Sequence, residues 1–148
     1  MELNRIVESY KAVIIENTSK LIQIPSVEGP ALPGKPFGEE ANNALLFCLK
    51  LAQELGFKTG NVDGYAGYAE MGEGDETLAI LVHLDVVPEG TGWTYPPFSG
   101  EVQDGKIYGR GAIDDKGPAI AALYAMKAVM DSTVSLNKKV RKIGRASW

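Results

Sequence analysis

Apolar positions Leu3, Ile6, Val7, Tyr10, Val13, Ile14 and Leu21 recur at helical spacing, and the pattern stops at Ile24-Pro25-Ser26, where proline disfavours more helix. One amphipathic helix is predicted there. Pro30, Pro33, Gly34, Pro36 and Gly38 then crowd one stretch, after which Glu39 and Glu40 open a second helix that turns Ala41, Ala44, Leu45, Cys48, Ala52 and Leu55 inward. Gly56 is its expected stop. Residues 57–62 and 65–71 read as short strands around Asp63-Gly64, and residues 72–76 as a polar turn. The unbroken apolar run Leu78-Ala79-Ile80-Leu81-Val82 has the pattern of a strand covered by helices on both faces, so it is expected at the centre of the sheet.

Residues 86–98 form a long loop rich in glycine, proline and aromatic side chains, a length that often serves function. Asp104-Gly105 predicts a hairpin between Glu101-Val102 and Lys106-Ile107-Tyr108. A third helix is expected from about Pro118, burying Ile120, Leu123, Met126, Val129 and Met130, and residues 138–143 suggest another strand. No internal repeat or low-complexity segment interrupts this order.

With 148 residues, 45% of them hydrophobic, the chain can bury one sizeable core but hardly two. Fifteen basic residues against 19 acidic ones give a net charge of −4, which leaves no broad cationic surface for nucleic acid. The charge is uneven. Residues 132–148 hold five basic side chains and no acidic one, leaving 10 basic against 19 acidic before them. The charged start Met1-Glu2-Leu3-Asn4-Arg5-Ile6 lacks the apolar stretch of a signal peptide, and no run approaches the roughly 18 apolar residues of a membrane span. A soluble, cytoplasmic protein with no membrane partner is expected, and the sequon Asn17-Thr18-Ser19 is then a chance match.

Cys48, alone, excludes an internal disulfide and a cysteine-based zinc site, while His83, also alone, excludes any site that needs two or three imidazoles. Chemistry in this chain must be rich in carboxylates. Side chains alternate along a strand, so His83 and Asp85 project to one side at the C-terminal end of the apolar run, where open parallel sheets place ligands. A metal-bound imidazole commonly donates its second N–H to a carboxylate, which an acid two residues away can provide. A strand-end histidine capped by a local acid is the structural alternative. The segment Tyr108-Gly109-Arg110-Gly111-Ala112-Ile113-Asp114-Asp115-Lys116-Gly117-Pro118 ends a strand, turns through glycines and sets two carboxylates before a helix. One aspartate could simply cap that helix; two call for a further reason. Asp114 stands where a dinucleotide fingerprint needs its third glycine, and no Gly-Lys-Ser/Thr loop is present, so nucleotide binding is excluded. The Trp93–Phe98 loop reads either as packing beside this region or as a partner-binding segment.

Residues 81–90, Trp93, Pro97-Phe98, Asp104-Gly105 and the 108–118 segment together closely resemble the two-metal dipeptidases. They fit the Xaa-His dipeptidase and carnosinase-like branch of the metallopeptidases that also include aminoacylases and carboxypeptidase G. The resemblance runs from about Ile6 to Met130 and takes in Ile24-Pro25-Ser26-Val27 and Pro36-Phe37-Gly38-Glu39-Glu40. It implies an α/β fold, a three-layer sandwich with a mostly parallel central sheet of the zinc-exopeptidase kind. His83 would ligate one divalent metal, Asp85 would orient His83, and Asp114 would bridge two metals. Asp115, Lys116 and Gly117 would support the motif without binding metal, Asp115 doubling as a helix cap, and the Asp114–Asp115 peptide bond would be cis.

The implied reaction is hydrolysis of a dipeptide, or of a small N-acyl amino acid, by a hydroxide bridging two metals, with a glutamate as general base. Zinc leads among the metals, and manganese or cobalt also suits such ligands. The chain departs from that family after Asp131, where no acidic residue remains: the general base and the later ligands have no counterpart. Residues 1–148 therefore read as the N-terminal part of a catalytic domain with an atypical, truncated end at 132–148 and without the lid domain. This predicts weak metal binding, doubtful activity alone, and an unpaired sheet edge beside the last strand that favours self-association. A non-catalytic α/β interaction module is the alternative from another class.

Overall fold

A computed structural model describes residues 2–145, so Ala146-Ser147-Trp148 of the atypical end lie outside the described residues. The N-terminal helical pattern divides into α1 (Glu2–Ser9) and α2 (Lys11–Ile22), where one helix was expected. The break at Tyr10 has local and tertiary causes. Ser9 Oγ donates to the Ile6 carbonyl at 2.6 Å and Tyr10 N–H donates to Val7 O at 3.0 Å, tightening the turn. The Tyr10 ring also packs against Tyr124, with centroids 5.6 Å apart, and its hydroxyl donates to Asp131. Helix α3 (Glu39–Glu54) buries Ala41, Ala44, Leu45, Cys48, Leu51 and Ala52, and Gly56 follows it at φ 92°, a conformation glycine adopts without steric cost.

Strands β1 (Lys58–Val62) and β2 (Ala66–Met71) form a hairpin through Asp63 and Gly64, both at positive φ. Then come β3 (Thr77–His83), the small hairpin of β4 (Glu101–Gln103) and β5 (Lys106–Tyr108), helix α4 (Lys116–Met130) and β6 (Lys139–Arg145). Helix α4 begins two residues before Pro118, which then occupies the first turn, where its missing N–H costs nothing. Ile120, Leu123 and Met126 are buried as expected, each gaining about 1.5–3 kcal/mol from leaving water. Met130 is instead 38% exposed, at the last residue of the helix.

The main sheet runs β1-β2-β6-β3, antiparallel except for the parallel pair β6 and β3. The 78–82 run thus forms an edge strand among the described residues, not the centre. Helix α4 carries the chain back across the sheet, and β6 enters between β2 and β3, bonding both. The last strand, β6, is interior, and among the described residues the unpaired edges are those of β1 and of β3. Leu81 is 72% exposed on β3. One face of the sheet aligns Met71, Val140 and Leu78, then Ala69, Lys142 and Ile80, and packs its inner positions against the helices. The other aligns Tyr68, Ile143 and Leu81 and is open among the described residues. The described residues thus build an α/β arrangement with two of the three expected layers. No described helix is long and apolar enough to cross a membrane.

Candidate functional site

Strand β3 delivers His83 at its C-terminal end, and the backbone just beyond is firmly held. Ser26, fully buried, donates its hydroxyl to Leu84 O at 2.6 Å, and Val86 N–H donates to Ser26 O at 3.0 Å. His83 Nδ1 lies 3.0 Å from the main-chain carbonyl of Asp85 and 3.6 Å from its carboxylate Oδ1. Asp85 therefore meets the imidazole most closely through its backbone, a contact the alternation of side chains did not foresee. A carbonyl can only accept, so Nδ1 carries the hydrogen.

That tautomer turns the lone pair of Nε2 toward Asp114 Oδ1, 2.8 Å away. Two acceptors at that distance need a positive charge between or upon them. Burial of His83 opposes its protonated form, but the Asp114 hydrogen bond, the Asp85 carbonyl and the two carboxylates outweigh it and raise the pKa. Asp114 itself is 81% exposed at the side chain.

The Asp114–Asp115 peptide bond is cis, as the resemblance implied. Asp115 occupies the N-cap position of α4 but makes no capping bond; its Oδ2 accepts from the His83 main-chain N–H at 3.3 Å. It ties the two motifs together instead. Lys116 is fully buried, its ammonium donating to Ile24 O at 2.6 Å. Burial pushes that amine down to about 8, against the pull of Cys48 and Asp85. Gly117 is required sterically, since a Cβ there would lie 2.2 Å from Ala112 O.

These groups border a cleft of about 870 Å³ whose walls include Val27, His83, Asp85, Trp93, Tyr108, Arg110 and Asp114. Trp93 packs beside the site. Its indole N–H and an Arg110 guanidinium N–H both donate to Glu89 O, at 2.8 and 3.1 Å, and the guanidinium sits 5.2 Å from the indole ring centre. Arg110 thus braces the 86–98 loop, a role the sequence reading missed although its place between two glycines beside the acidic pair was visible. A divalent ion suits an imidazole nitrogen facing a carboxylate, so His83 and Asp114 fit two positions of a metal shell. Among the described residues no third histidine, cysteine or carboxylate joins them in a ligand cluster.

Residues 79–145, spanning β3, the cleft loop, α4 and β6, match the family profile described as Peptidase family M20/M25/M40. The likeness to that family covers these 67 residues, a little under half of the chain. It is 52% identical over 135 residues to the candidate dipeptidase YtjP of Bacillus subtilis (strain 168), covering 90% of this chain and 29% of that protein. The candidate dipeptidase SH1171 of Staphylococcus haemolyticus (strain JCSC1435) is 42% identical over 139 residues, covering 93% and 30%. This chain therefore spans about 30% of the length of the curated relatives it matches. Among solved structures, the M20 family metallo-carboxypeptidase of Sulfolobus solfataricus aligns with TM-score 0.75 and 27% identity over 90% of this chain and 30% of that one. Human carnosine dipeptidase 1 shares the fold at TM-score 0.76 and 24% identity, over 98% and 34%.

Proposed function

We propose that this chain is the N-terminal part of the catalytic domain of a metal-dependent dipeptidase, and that it supplies one side of a two-metal site. The observation that carries the reading is the His83 Nε2 and Asp114 Oδ1 pair, 2.8 Å apart at the wall of the cleft, with Nδ1 committed to a carbonyl. His83 and Asp114 would hold the ions, zinc foremost. When bound, such ions acidify water and stabilise the charge that builds on a hydrolysing amide. The chain's own groups orient these ligands: Asp85 O fixes the imidazole tautomer, and Asp115 holds the end of β3 against the start of α4.

Dipeptides are the favoured substrate class, and small N-acyl amino acids are the second. The general base and remaining ligands are not among the residues assigned here, so the isolated chain binds metal weakly and does not turn over dipeptide. A cytoplasmic location fits this role, and the open β3 edge favours self-association.

Calorimetric titration of the 148-residue chain with zinc or manganese tests the reading, with dipeptide hydrolysis measured in parallel. Weak binding lost in both His83→Ala and Asp114→Ala, without turnover above the His83→Ala control, is expected. Metal affinity unchanged in both variants would favour a non-catalytic interaction module; turnover abolished by His83→Ala would show that this chain completes a site.

A further inference from the structure

Arg110 stands between Gly109 and Gly111, and its main-chain N–H donates to Pro97 O at 2.7 Å. A Cβ at position 109 would lie 2.4 Å from the Ile22 side chain and 3.0 Å from Pro97 O, so only glycine lets this backbone sit so close to α2. The side chain is held as well. One of its guanidinium N–H groups, on Nη2, donates to Glu89 O at 3.1 Å, and the Trp93 ring forms a platform 5.2 Å from the guanidinium carbon. Nε is buried with no hydrogen-bond partner among the described residues, and Nη1, which has none there either, is open to solvent. A charged donor left unpaired in the interior is costly, and bracing the 86–98 loop through Nη2 does not account for it. Arg110 is also the single lysine or arginine among the described residues that line the cleft, where the other charged walls are Glu28, Asp85 and Asp114, with His83 beside them.

We propose that Arg110 is the carboxylate anchor of the cleft: its guanidinium receives the free α-carboxylate of the substrate. The inference rests on the dipeptidase reading for the identity of the ligand, and dipeptides and N-acyl amino acids share that group. A guanidinium presents parallel N–H bonds that match a planar carboxylate, and such charge-assisted bonds are the strong ones. Stacking on Trp93 and the bond to Glu89 O fix the group before any ligand arrives, so little side-chain freedom is lost on binding. A residue inside a longer peptide has no α-carboxylate. The anchor therefore restricts the cleft to the C-terminal residue of its substrate, which makes Arg110 a specificity residue with no part in proton transfer.

The test uses the 148-residue chain without metal, which separates its outcome from that of the zinc titration. Proton–nitrogen NMR follows Arg110 Nε–H and the Trp93 indole N–H as alanyl-alanine, alanyl-alanine amide or N-acetylalanine is added. Both acids are expected to shift the two signals, and the amide to bind at least about tenfold more weakly than alanyl-alanine, the loss of a charge-assisted contact. The other charged walls of the cleft are acidic and by themselves favour the cationic amide, so net charge cannot produce that preference. Arg110→Gln, checked for folding by circular dichroism, is expected to erase it. Equal binding of acid and amide, absence of binding by either acid, an unmoved Arg110 Nε–H signal, or a preference that survives in folded Arg110→Gln overturns the proposal. If Arg110→Gln does not fold, the ligand series on the parent chain decides. Tighter binding of alanyl-alanine than of N-acetylalanine upholds the anchor with a dipeptide as its ligand, and the reverse order upholds it with an N-acyl amino acid. A failed anchor beside zinc affinity that is lost in His83→Ala leaves the metal-site reading standing.

Discussion

Two lysines enter the interior of this small domain, and they are held quite differently. Lys116, fully buried at the head of α4, spends its charge on the Ile24 carbonyl at 2.6 Å. Lys142, nearly as deep in the middle of β6, has no such partner among the described residues. A buried cation is tolerated where a hydrogen bond repays part of its lost hydration and is a liability where nothing does. The first lysine therefore fastens the loop before the site to the helix after it, whereas the second lies along the core face of β6 with its ammonium still in reach of solvent.

The comparison breaks most sharply at Lys116. Lys116→Met removes the charged donor from the Ile24 carbonyl, which keeps only the Ser26 N–H at 2.8 Å, and is expected to cost about 1.5–3 kcal/mol in urea unfolding; a gain in stability would put the two lysines in one class. Lys142→Met should act with the opposite sign, raising stability by about 1–3 kcal/mol at pH 7. A depressed lysine penalises folding fully below its packed-state pKa and ceases to do so as pH passes the unfolded value, so that gain should shrink toward pH 10.

Ser26→Ala sharpens the point without charge. Loss of the 2.6 Å bond to Leu84 O should cost about 1–2 kcal/mol, read from the unfolding midpoint. Arg141, one residue from Lys142 but on the open face, pairs with Glu70 at 2.7 Å and lies over the Tyr68 ring. Arg141→Ala should cost about 1 kcal/mol, because the pair is only part-buried, with the Arg141 side chain 37% and that of Glu70 14% exposed. A larger loss would mean that the open face is better shielded than its exposure indicates.

Local chemistry made much of this molecule legible in advance. The hairpin at Asp63-Gly64, the hairpin at Asp104-Gly105 and the stop at Gly56 follow from backbone preferences that each short segment carries with it. The meeting of His83 with the Asp114-Asp115 pair was instead an expectation carried by the family resemblance, since it joins two segments 31 and 32 residues apart. The split at Tyr10 was hidden because it depends on Tyr124 and Asp131, more than a hundred residues away. Asp115 looked like a helix cap for the same reason: capping is a local option, whereas its bond to the His83 N–H exists only after β3 and α4 are brought together.

By itself, the sequence determined the elements, the motifs and the resemblance, since period, turn chemistry and residue order are properties of neighbouring positions. Tertiary structure alone decided that β6 enters between β2 and β3, leaving the apolar run of β3 at an edge, and that Lys142 faces the core while Arg141 faces out. Strand order and strand face are settled by which distant segments pair and in what register, and a one-residue shift in that pairing exchanges the faces of every side chain on the strand.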